Sequence, residues 1–173
     1  TRAYLRAYLA TLPGVGDVLR SLNRTLAAEL ETGRFVTMML AGLDARARTL
    51  AFANAGHPPG LVLGPAGHLR TRLESSAPPL GAFPELGVDD GPSLALRPGD
   101  VVVLMTDGVI ESRAPDGGLL GVEGAERIVR AHRGESAQGI LDGLVAGVRE
   151  FTRGEGPADD MAAVVCRVGT DEG

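Results

Sequence analysis

The sequence predicts an α+β domain in which helices cover a set of antiparallel strands. Two stretches with helical periodicity open the chain, and short apolar segments typical of strands follow between residues 34 and 106. Two further helical stretches then precede one last apolar strand. Strands and helices are grouped rather than alternating, and this order favours an α+β domain over a parallel βαβ sheet.

The two opening helices are predicted from apolar stripes. The first should end at Pro13–Gly14, Asp17 is expected to cap the second, and Gly33 to end it. The short linker between them should let the two helices pack as an antiparallel pair on the sheet. The stripes are Leu5, Tyr8, Leu9 and Leu12 in the first helix, and Val18, Leu19, Leu22, Leu26 and Leu30 in the second.

Residues 34–106 contain most of the predicted strands. Two apolar segments, 34–44 and 49–56, flank the turn 44–48 and should form a hairpin. A stretch rich in Pro and Gly, 75–91, has neither a helical nor a strand period and is expected to be a long surface loop. The other strands are expected at 60–64, 68–71, 93–97 and 100–106, with the tight turn 97–100 joining the last two.

The C-terminal part of the chain is predicted to contain two helices and one strand. The helices are expected at 121–133 and 136–152 from their apolar periodicity. Ser136 should cap the second of them, and Gly154 should end it. The apolar stretch 161–168 then forms the last strand and completes the sheet.

Composition excludes several classes of function. Of the 173 residues, 44% are apolar and 23% are charged, as in ordinary globular proteins. The net charge of −5 and the lack of a basic patch with interleaved aromatics argue against nucleic-acid binding. The chain has no run of 18 apolar residues, no signal-peptide pattern is seen at its start, and Cys166 is the single cysteine. These features predict a soluble, cytoplasmic protein without a membrane span.

Acidic residues stand at the ends of two buried strands. Asp107 follows the apolar run 101–105, while Asp159 and Asp160 directly precede the last strand. If these strands are antiparallel neighbours, the carboxylates converge at one rim of the sheet, and a cation is needed to offset their repulsion. Oxygen donors without His or Cys suit Mg²⁺ or Mn²⁺. The alternative is that Asp107-Gly108 is an ordinary turn and the acidic pair a solvated loop.

Two further residues have both a functional and a structural interpretation. His57 could contact a substrate, or it could be a turn histidine that bonds to the backbone. Arg34 could reach a phosphate, or it could be a solvated arginine at a strand edge. No Ser/His/Asp or Cys/His arrangement points to a side-chain nucleophile, so no catalytic residues are expected beyond metal ligands.

A set of motifs resembles one family of enzymes. The chain is similar to the latter two-thirds of PPM-type metal-dependent serine/threonine phosphatases, in the branch that includes bacterial stage II sporulation protein E. The resemblance covers residues 1–169 and leaves 170–173 as a tail. It implies an antiparallel β-sandwich flanked by helices. The matching segments are LNRTL, RFVTMML, LAFANAGHPPGLVL, APPLGAF, LRPGDVVVLMTDGVIESRAPDGGLLG and DDMAAVV, in the order in which the family has them.

The resemblance also implies a site and a reaction. In the family, a dinuclear Mn²⁺ or Mg²⁺ centre hydrolyses phosphoserine or phosphothreonine in a protein. By the match, Asp107 and Asp159 are metal ligands, and Asp160 supports them or binds metal only in some members. The expected substrate is a STAS-type anti-sigma-factor antagonist in a bacterial signalling pathway. Upstream sensor domains and a homodimer are further partners that the resemblance implies.

One departure from the family pattern qualifies this expectation. Two metal-binding blocks of the family, Gly-Asp-x-x-Asp and Asp-Val-x-Gly-(His/Lys)-Gly, should precede the first helix and are absent from this chain. The N-terminal strands are therefore expected to be missing, and the chain alone is expected to be inactive and to self-associate. The alternatives are a non-catalytic regulatory module with the same fold and an incomplete metal site, and a generic α+β domain whose acids are only loops.

Overall fold

The computed structural model describes residues 1–88, 90–154 and 159–169. Asp89 of the predicted loop, the residues 155–158 before the acidic pair and the tail 170–173 lie outside them. The helices are α1 Arg2–Thr11, α2 Val15–Glu29, α3 Asp107–Ile110, α4 Gly121–His132 and α5 Ala137–Phe151. The strands are β1 Met38–Asp44, β2 Thr49–Ala55, β3 Gly60–Leu63, β4 Leu69–Leu73, β5 Leu94–Ala95, β6 Val101–Met105 and β7 Ala163–Arg167.

The strands form two sheets, and the predicted α+β class is confirmed. One sheet has the order β1-β2-β5, and the other has the order β4-β3-β6-β7. The pairs β1–β2, β2–β5, β3–β6 and β6–β7 are all antiparallel. The predicted hairpin is β1–β2, in which Asp44 pairs with Thr49 across the turn. None of the helices in the described part of the chain has the length and apolar content that crossing a bilayer demands.

The chain divides into two compact units. The first unit comprises Thr1–His57 and Leu73–Leu96, and the second comprises Pro58–Arg72 and Arg97–Gly173. The three-stranded sheet belongs to the first unit. The four-stranded sheet belongs to the second, apart from the last residue of β4. Each unit has its own hydrophobic core.

The core of the first unit confirms the apolar stripe of α2. Leu19 and Leu22 are fully buried, and they pack with Ala53 and Ala55 of β2. The small alanines let the helix approach the sheet closely, so the leucines fill the space between them. The helix α1 contributes Leu5 and Tyr8 at the edge of this core and has no fully buried residue.

Two boundaries of α2 differ from the predictions. The helix begins at Val15 with Gly14 as its N-cap, so Asp17 lies in the first turn and pairs with Arg20 instead of capping. Instead, the carboxylate of Asp90 accepts the Gly16 N–H at 2.5 Å. A residue far along the chain thus satisfies a backbone N–H in the first turn of α2. The helix ends at Glu29, before the predicted Gly33.

The segment 75–91 is less superficial than predicted. Its described residues, 75–88 and 90–91, form no long helix or strand, but Leu80 and Val88 are fully buried in the core of the first unit. Helix α2 anchors it, because Arg20 donates to the carbonyl oxygen of Val88 and Asn23 donates to that of Phe83 at 3.0 Å. Residues sixty or more positions away along the chain thus hold this segment in place. Local periodicity does not detect such contacts, so the sequence predicted only a surface loop.

The core of the second unit surrounds the buried strands β3 and β6. Helices α4 and α5 supply the covering side chains, and the Ser136 hydroxyl caps α5 by accepting the Gly139 N–H at 3.1 Å, as predicted. The fully buried members are Leu61, Leu63, Val101, Val103, Ala125, Val129, Ile140, Leu144 and Val148. This packing makes β6 a rigid support for the residues that follow it.

Ion pairs fasten β4 to α4 within the second unit. The Arg72 guanidinium lies 3.0 Å from the Glu123 carboxylate and 3.6 Å from that of Glu126. A hydrogen bond from its own backbone N–H, and then the Arg72 guanidinium, lower the pKa of Glu123 below its usual value. Glu126 also accepts a hydrogen bond from Arg130 on the next turn of α4.

Candidate metal centre

Strand β6 carries Asp107 to the surface. Its residues Val101 and Val103 are fully buried, and the strand ends at Met105. Asp107 begins the short helix α3, and its side chain is exposed. The Glu111 N–H donates to the Asp107 carbonyl oxygen at 2.7 Å and closes the single helical turn. A buried strand followed at once by a hydrogen-bonded turn fixes the backbone of this carboxylate.

Strand β7 brings the acidic pair to the same end of the sheet. The strands β6 and β7 are antiparallel neighbours with Met105 opposite Ala163, so the condition for the acids to lie at one end of the sheet is met. The Thr106 N–H extends the ladder by donating to the Ala162 carbonyl oxygen at 3.0 Å. Asp159 and Asp160 directly precede this paired segment, and both are exposed. We call Asp107, Asp159 and Asp160 the acidic rim.

Gly108 explains how closely the two halves of the acidic rim approach. A Cβ atom added to this glycine would lie 2.5 Å from the Asp160 carbonyl oxygen and 3.1 Å from that of Asp159. These distances are shorter than ordinary contacts, so the backbone of the acidic pair packs directly on residue 108. The Asp-Gly sequence is therefore more than a turn signal, since only glycine fits beside this backbone.

The donor chemistry of the acidic rim fits a hard divalent cation, although the ligand set is partial. Three exposed carboxylates at one end of a sheet offer oxygen donors of the kind that Mg²⁺ and Mn²⁺ prefer. Across residues 1–88, 90–154 and 159–169, no group of three or more His, Cys, Asp or Glu side chains is arranged to hold an ion. The rim therefore offers the right type of donor atom, and its assignment as part of a metal site stays a prediction.

The predicted substrate residue His57 lies in a turn that a buried asparagine holds. The Asn54 Oδ1 accepts the His57 N–H at 2.9 Å, and its Nδ2 donates to the carbonyl oxygens of His57 and Leu73 at 3.1 and 3.2 Å. The His57 Nδ1 lies 3.3 Å from the Thr37 hydroxyl. We call residues 54–57 the Asn54 turn. A substrate contact by His57 stays a prediction.

The other predicted substrate residue, Arg34, lies at the surface of the first unit. Its Nε is 3.0 Å from the Glu31 carboxylate, and both side chains are more than two-thirds exposed, at 71% and 77%. Exposed pairs of this kind contribute little to stability. A contact between Arg34 and a phosphate therefore stays a prediction.

The structure also reveals polar residues whose roles sequence reasoning missed. Asp100, which the sequence indicated only as part of a turn, is fully buried and pairs with Arg70 of β4. Alternating arginines in β4, Arg70 and Arg72, were a signal that this strand faces acidic partners. Asn54 is also fully buried, and its role in the turn was visible only as the Asn that precedes Ala-Gly-His.

Solved structures identify the class to which this fold belongs. The SiaA-PP2C domain of Pseudomonas aeruginosa matches with a TM-score of 0.83 at 19% identity, over 96% of this chain and 65% of that chain. The RsbU and RsbW domains of Rv1364c from Mycobacterium tuberculosis match with a TM-score of 0.74 at 25% identity, over 98% of this chain and 46% of that chain. The Mn-presoaked phosphatase domain of SpoIIE from Bacillus subtilis matches with a TM-score of 0.65 at 20% identity, over 99% of this chain and 74% of that chain. The fold is therefore that of a PPM-type, or PP2C, phosphatase domain.

Sequence comparisons then identify the family. The family model for stage II sporulation protein E (SpoIIE) matches residues 1–169. The phosphoserine phosphatase RsbU of Bacillus subtilis (strain 168) is 28% identical over 138 residues, which are 78% of this chain and 41% of RsbU. The chain belongs to the SpoIIE family, as its motifs predicted, and it spans about two-fifths of the length of this curated relative.

Proposed function

We propose that the complete protein containing this chain is a phosphatase that depends on Mn²⁺ or Mg²⁺ and hydrolyses phosphoserine or phosphothreonine in a protein. The observation that carries the proposal is the contact of Gly108 with the backbone of Asp159 and Asp160, since it brings the two halves of the acidic rim together. Membership of the SpoIIE family supports the reaction class, and the relative RsbU is named a phosphoserine phosphatase.

The acidic rim would hold the metal centre. Asp107 and Asp159 are the proposed ligands, and Asp160 supports them or binds in part. When bound, two divalent ions neutralise the dianionic phosphate and provide a water molecule of lowered pKa. The carboxylates need to be fixed but open to solvent, and the exposed side chains on hydrogen-bonded backbone meet both conditions. Catalysis of this kind requires no nucleophile from the chain.

The proposed partners follow from the same family assignment. The substrate is a phosphorylated STAS-type anti-sigma-factor antagonist, and upstream sensor domains regulate the reaction in a sigma-factor pathway. The occurrence of RsbU and RsbW domains together in Rv1364c supports a signalling role of this kind. We place the protein in the cytoplasm, because a single half-buried cysteine, Cys166, suits a reducing compartment. A homodimer is part of the proposal.

Removing one carboxylate charge tests the proposed ligands. In the complete protein, Asp107→Asn keeps the shape of the side chain but lowers its attraction for a cation. Mn²⁺-dependent hydrolysis of a phosphoserine peptide should therefore fall by more than about a hundredfold, with an unchanged melting temperature. Asp44→Asn is the matched control, because Asp44 is an exposed aspartate at the end of another strand. Equal losses in both variants would contradict the assignment.

The acidic pair allows a sharper test. Asp159→Asn should reduce Mn²⁺ binding and turnover more than Asp160→Asn, because Asp159 is the proposed direct ligand. The reverse order would show that Asp160 is the ligand and that Asp159 supports it.

The alternative function is a regulatory or interaction module without catalysis. One observation favours it, namely that the described residues contain no complete group of metal ligands. Phosphatase assays of the complete protein with Mn²⁺ and with EDTA distinguish the two functions. Metal-dependent release of phosphate supports the enzyme, whereas equal and negligible release in both conditions supports the module.

The chain by itself should be inactive. Residues 1–173 hold two or three carboxylates of the proposed site, and Mg²⁺ and Mn²⁺ release hydration water reluctantly, so binding should be weak. In the described sheet, β7 pairs only with β6, and its Val164 is 64% exposed, which favours self-association through this edge. Assays with p-nitrophenyl phosphate at millimolar Mn²⁺, together with light scattering, check both points. Metal-dependent turnover by a monodisperse monomer would contradict them.

A further inference from the structure

The side chain of Thr106 joins the two strands that carry the acidic rim. Its hydroxyl oxygen accepts the Ala162 N–H at 3.0 Å and lies 3.3 Å from the Asp160 carbonyl oxygen, to which the hydroxyl donates. The hydroxyl is also 3.4 Å from the Ala162 carbonyl oxygen, which already accepts the Thr106 N–H. One residue at the end of β6 thus contacts the backbone on both sides of Met161.

These contacts complete a clamp on the acidic pair. Thr106 and Gly108 are the neighbours of Asp107 in the chain. Thr106 bonds to the backbone of Asp160 and Ala162, and the backbone of the acidic pair packs on Gly108. The residues on either side of one proposed ligand therefore hold the segment that carries the others. Gly108 limits how near the two halves come, and the Thr106 hydroxyl limits how far apart they move.

Because this region is exposed, removal of the Thr106 hydroxyl should have a small effect on stability. Asp160 and Ala162 are exposed residues and their hydrogen bonds with Thr106 are near solvent, so water can replace the lost hydrogen bonds at a small cost in stability. Water does not hold the two strand ends at a fixed separation. The loss should therefore affect the geometry of the acidic rim more than the folding of the unit.

We propose that Thr106 is a positioning residue, whose hydroxyl sets the separation between Asp107 and the acidic pair and so tunes the affinity for the divalent cation. This inference rests on the proposed function. It assigns no contact between Thr106 and metal or substrate, and it predicts an effect on metal affinity rather than on the rate at saturation.

Three variants of the complete protein test the role of the hydroxyl. Thr106→Val removes the hydroxyl with little change in shape, and Thr106→Ser restores it without the methyl group. Thr71→Val is the control, because Thr71 is a half-buried strand threonine of the same sheet whose hydroxyl donates to a backbone carbonyl, at 3.3 Å, away from the rim. Mn²⁺ binding is measured by electron paramagnetic resonance of the free ion, and phosphoserine-peptide hydrolysis is measured across a Mn²⁺ titration.

The expected result is a change in Mn²⁺ affinity alone. In Thr106→Val, the Kd for Mn²⁺ and the half-activating Mn²⁺ concentration should rise by roughly three- to tenfold, because two hydrogen bonds are lost and water replaces them only in part. The kcat at saturating Mn²⁺ should stay within about twofold. Thr106→Ser and Thr71→Val should both stay close to the unmodified protein.

Other outcomes overturn the inference or separate it from the proposed function. Unchanged Mn²⁺ affinity in Thr106→Val, or an equal loss in Thr106→Ser, would show that the hydroxyl does not position the rim. A lower kcat at unchanged affinity would also overturn it. If the unmodified protein binds Mn²⁺ but hydrolyses nothing, the proposed function fails, while the expected binding differences still support the role of Thr106.

Discussion

The Asn54 turn in the first unit and the acidic rim in the second fix polar groups in opposite ways. Asn54 is fully buried, and its side chain bonds to three backbone groups, two of the half-buried His57 and one of the buried Leu73. In the acidic rim the backbone is held in place, by hydrogen bonds and close packing, while the side chains stay exposed. A buried amide stabilises a turn, whereas an exposed carboxylate on fixed backbone is available to a ligand. In these two regions, the exposure of a polar side chain therefore indicates its role better than its polarity does.

The largest expected effect concerns the core that supports the Asn54 turn. Leu22→Asp or Leu26→Asp would place an unpaired charge among side chains that are 0% and 2% exposed, at a cost of several kcal/mol. Thermal unfolding should show a large fall in melting temperature for both variants. Leu9→Asp is the control, because Leu9 is 49% exposed on α1 and should tolerate the charge. Unchanged melting of the Leu22 and Leu26 variants would mean that this stripe does not face a core.

A smaller effect is expected from separating the two halves of the acidic rim. Gly108→Ala places a Cβ atom 2.5 Å from the Asp160 carbonyl oxygen, so the backbone of the acidic pair must move. The affinity of the complete protein for Mn²⁺ should fall by roughly ten- to hundredfold, as when residues that orient metal ligands are changed. Gly134→Ala is the control, since nothing lies within 4 Å of the added atom there. Equal Mn²⁺ affinities in the two variants would show that the close approach does not shape the metal site.

The smallest effect is expected at the Asn54 turn itself. Asn54→Ala removes the partner of the half-buried His57 backbone groups and of the buried Leu73 carbonyl oxygen. Because water can reach part of this region, the free energy of unfolding should fall by only about 1 kcal/mol. Urea denaturation measures this change. Mn²⁺ affinity should stay within about twofold, because the turn is proposed to stabilise rather than to bind metal. A large loss of Mn²⁺ affinity at unchanged stability would reverse the roles that the comparison assigns.

Much of the acidic rim could be predicted because its determinants are local. The apolar run 101–105 identified a buried strand, and its length indicated where Asp107 would emerge. The last apolar strand fixed the position of Asp159 and Asp160 in the same way. Antiparallel pairing of the two strands then required the acids to lie at one end of the sheet, and the register of Met105 with Ala163 agrees.

The features that sequence analysis missed depend on contacts between distant residues. The start of α2 was misplaced because the carboxylate of Asp90, 74 positions away, accepts the Gly16 N–H. The burial of Leu80 follows from the anchoring of its loop on α2, which no local period reveals. Helix α3 has four residues, Asp107–Ile110, and is too short to show a helical periodicity.

The position of β7 at the edge of its sheet has a consequence for how the acidic rim stays assembled. In the described residues this strand has one hydrogen-bonded neighbour, β6, so it can fray while the rest of the second core stays folded. Fraying from the Met105–Ala163 end would separate Asp160 from Asp107 and so disrupt the proposed cation site. A cation that binds only the closed form opposes fraying through linkage, by about 2.7 kcal/mol at a concentration of 100 Kd. If the proposed site binds a cation, metal binding and local folding of β7 are coupled, and we expect added Mn²⁺ to slow amide exchange in this strand.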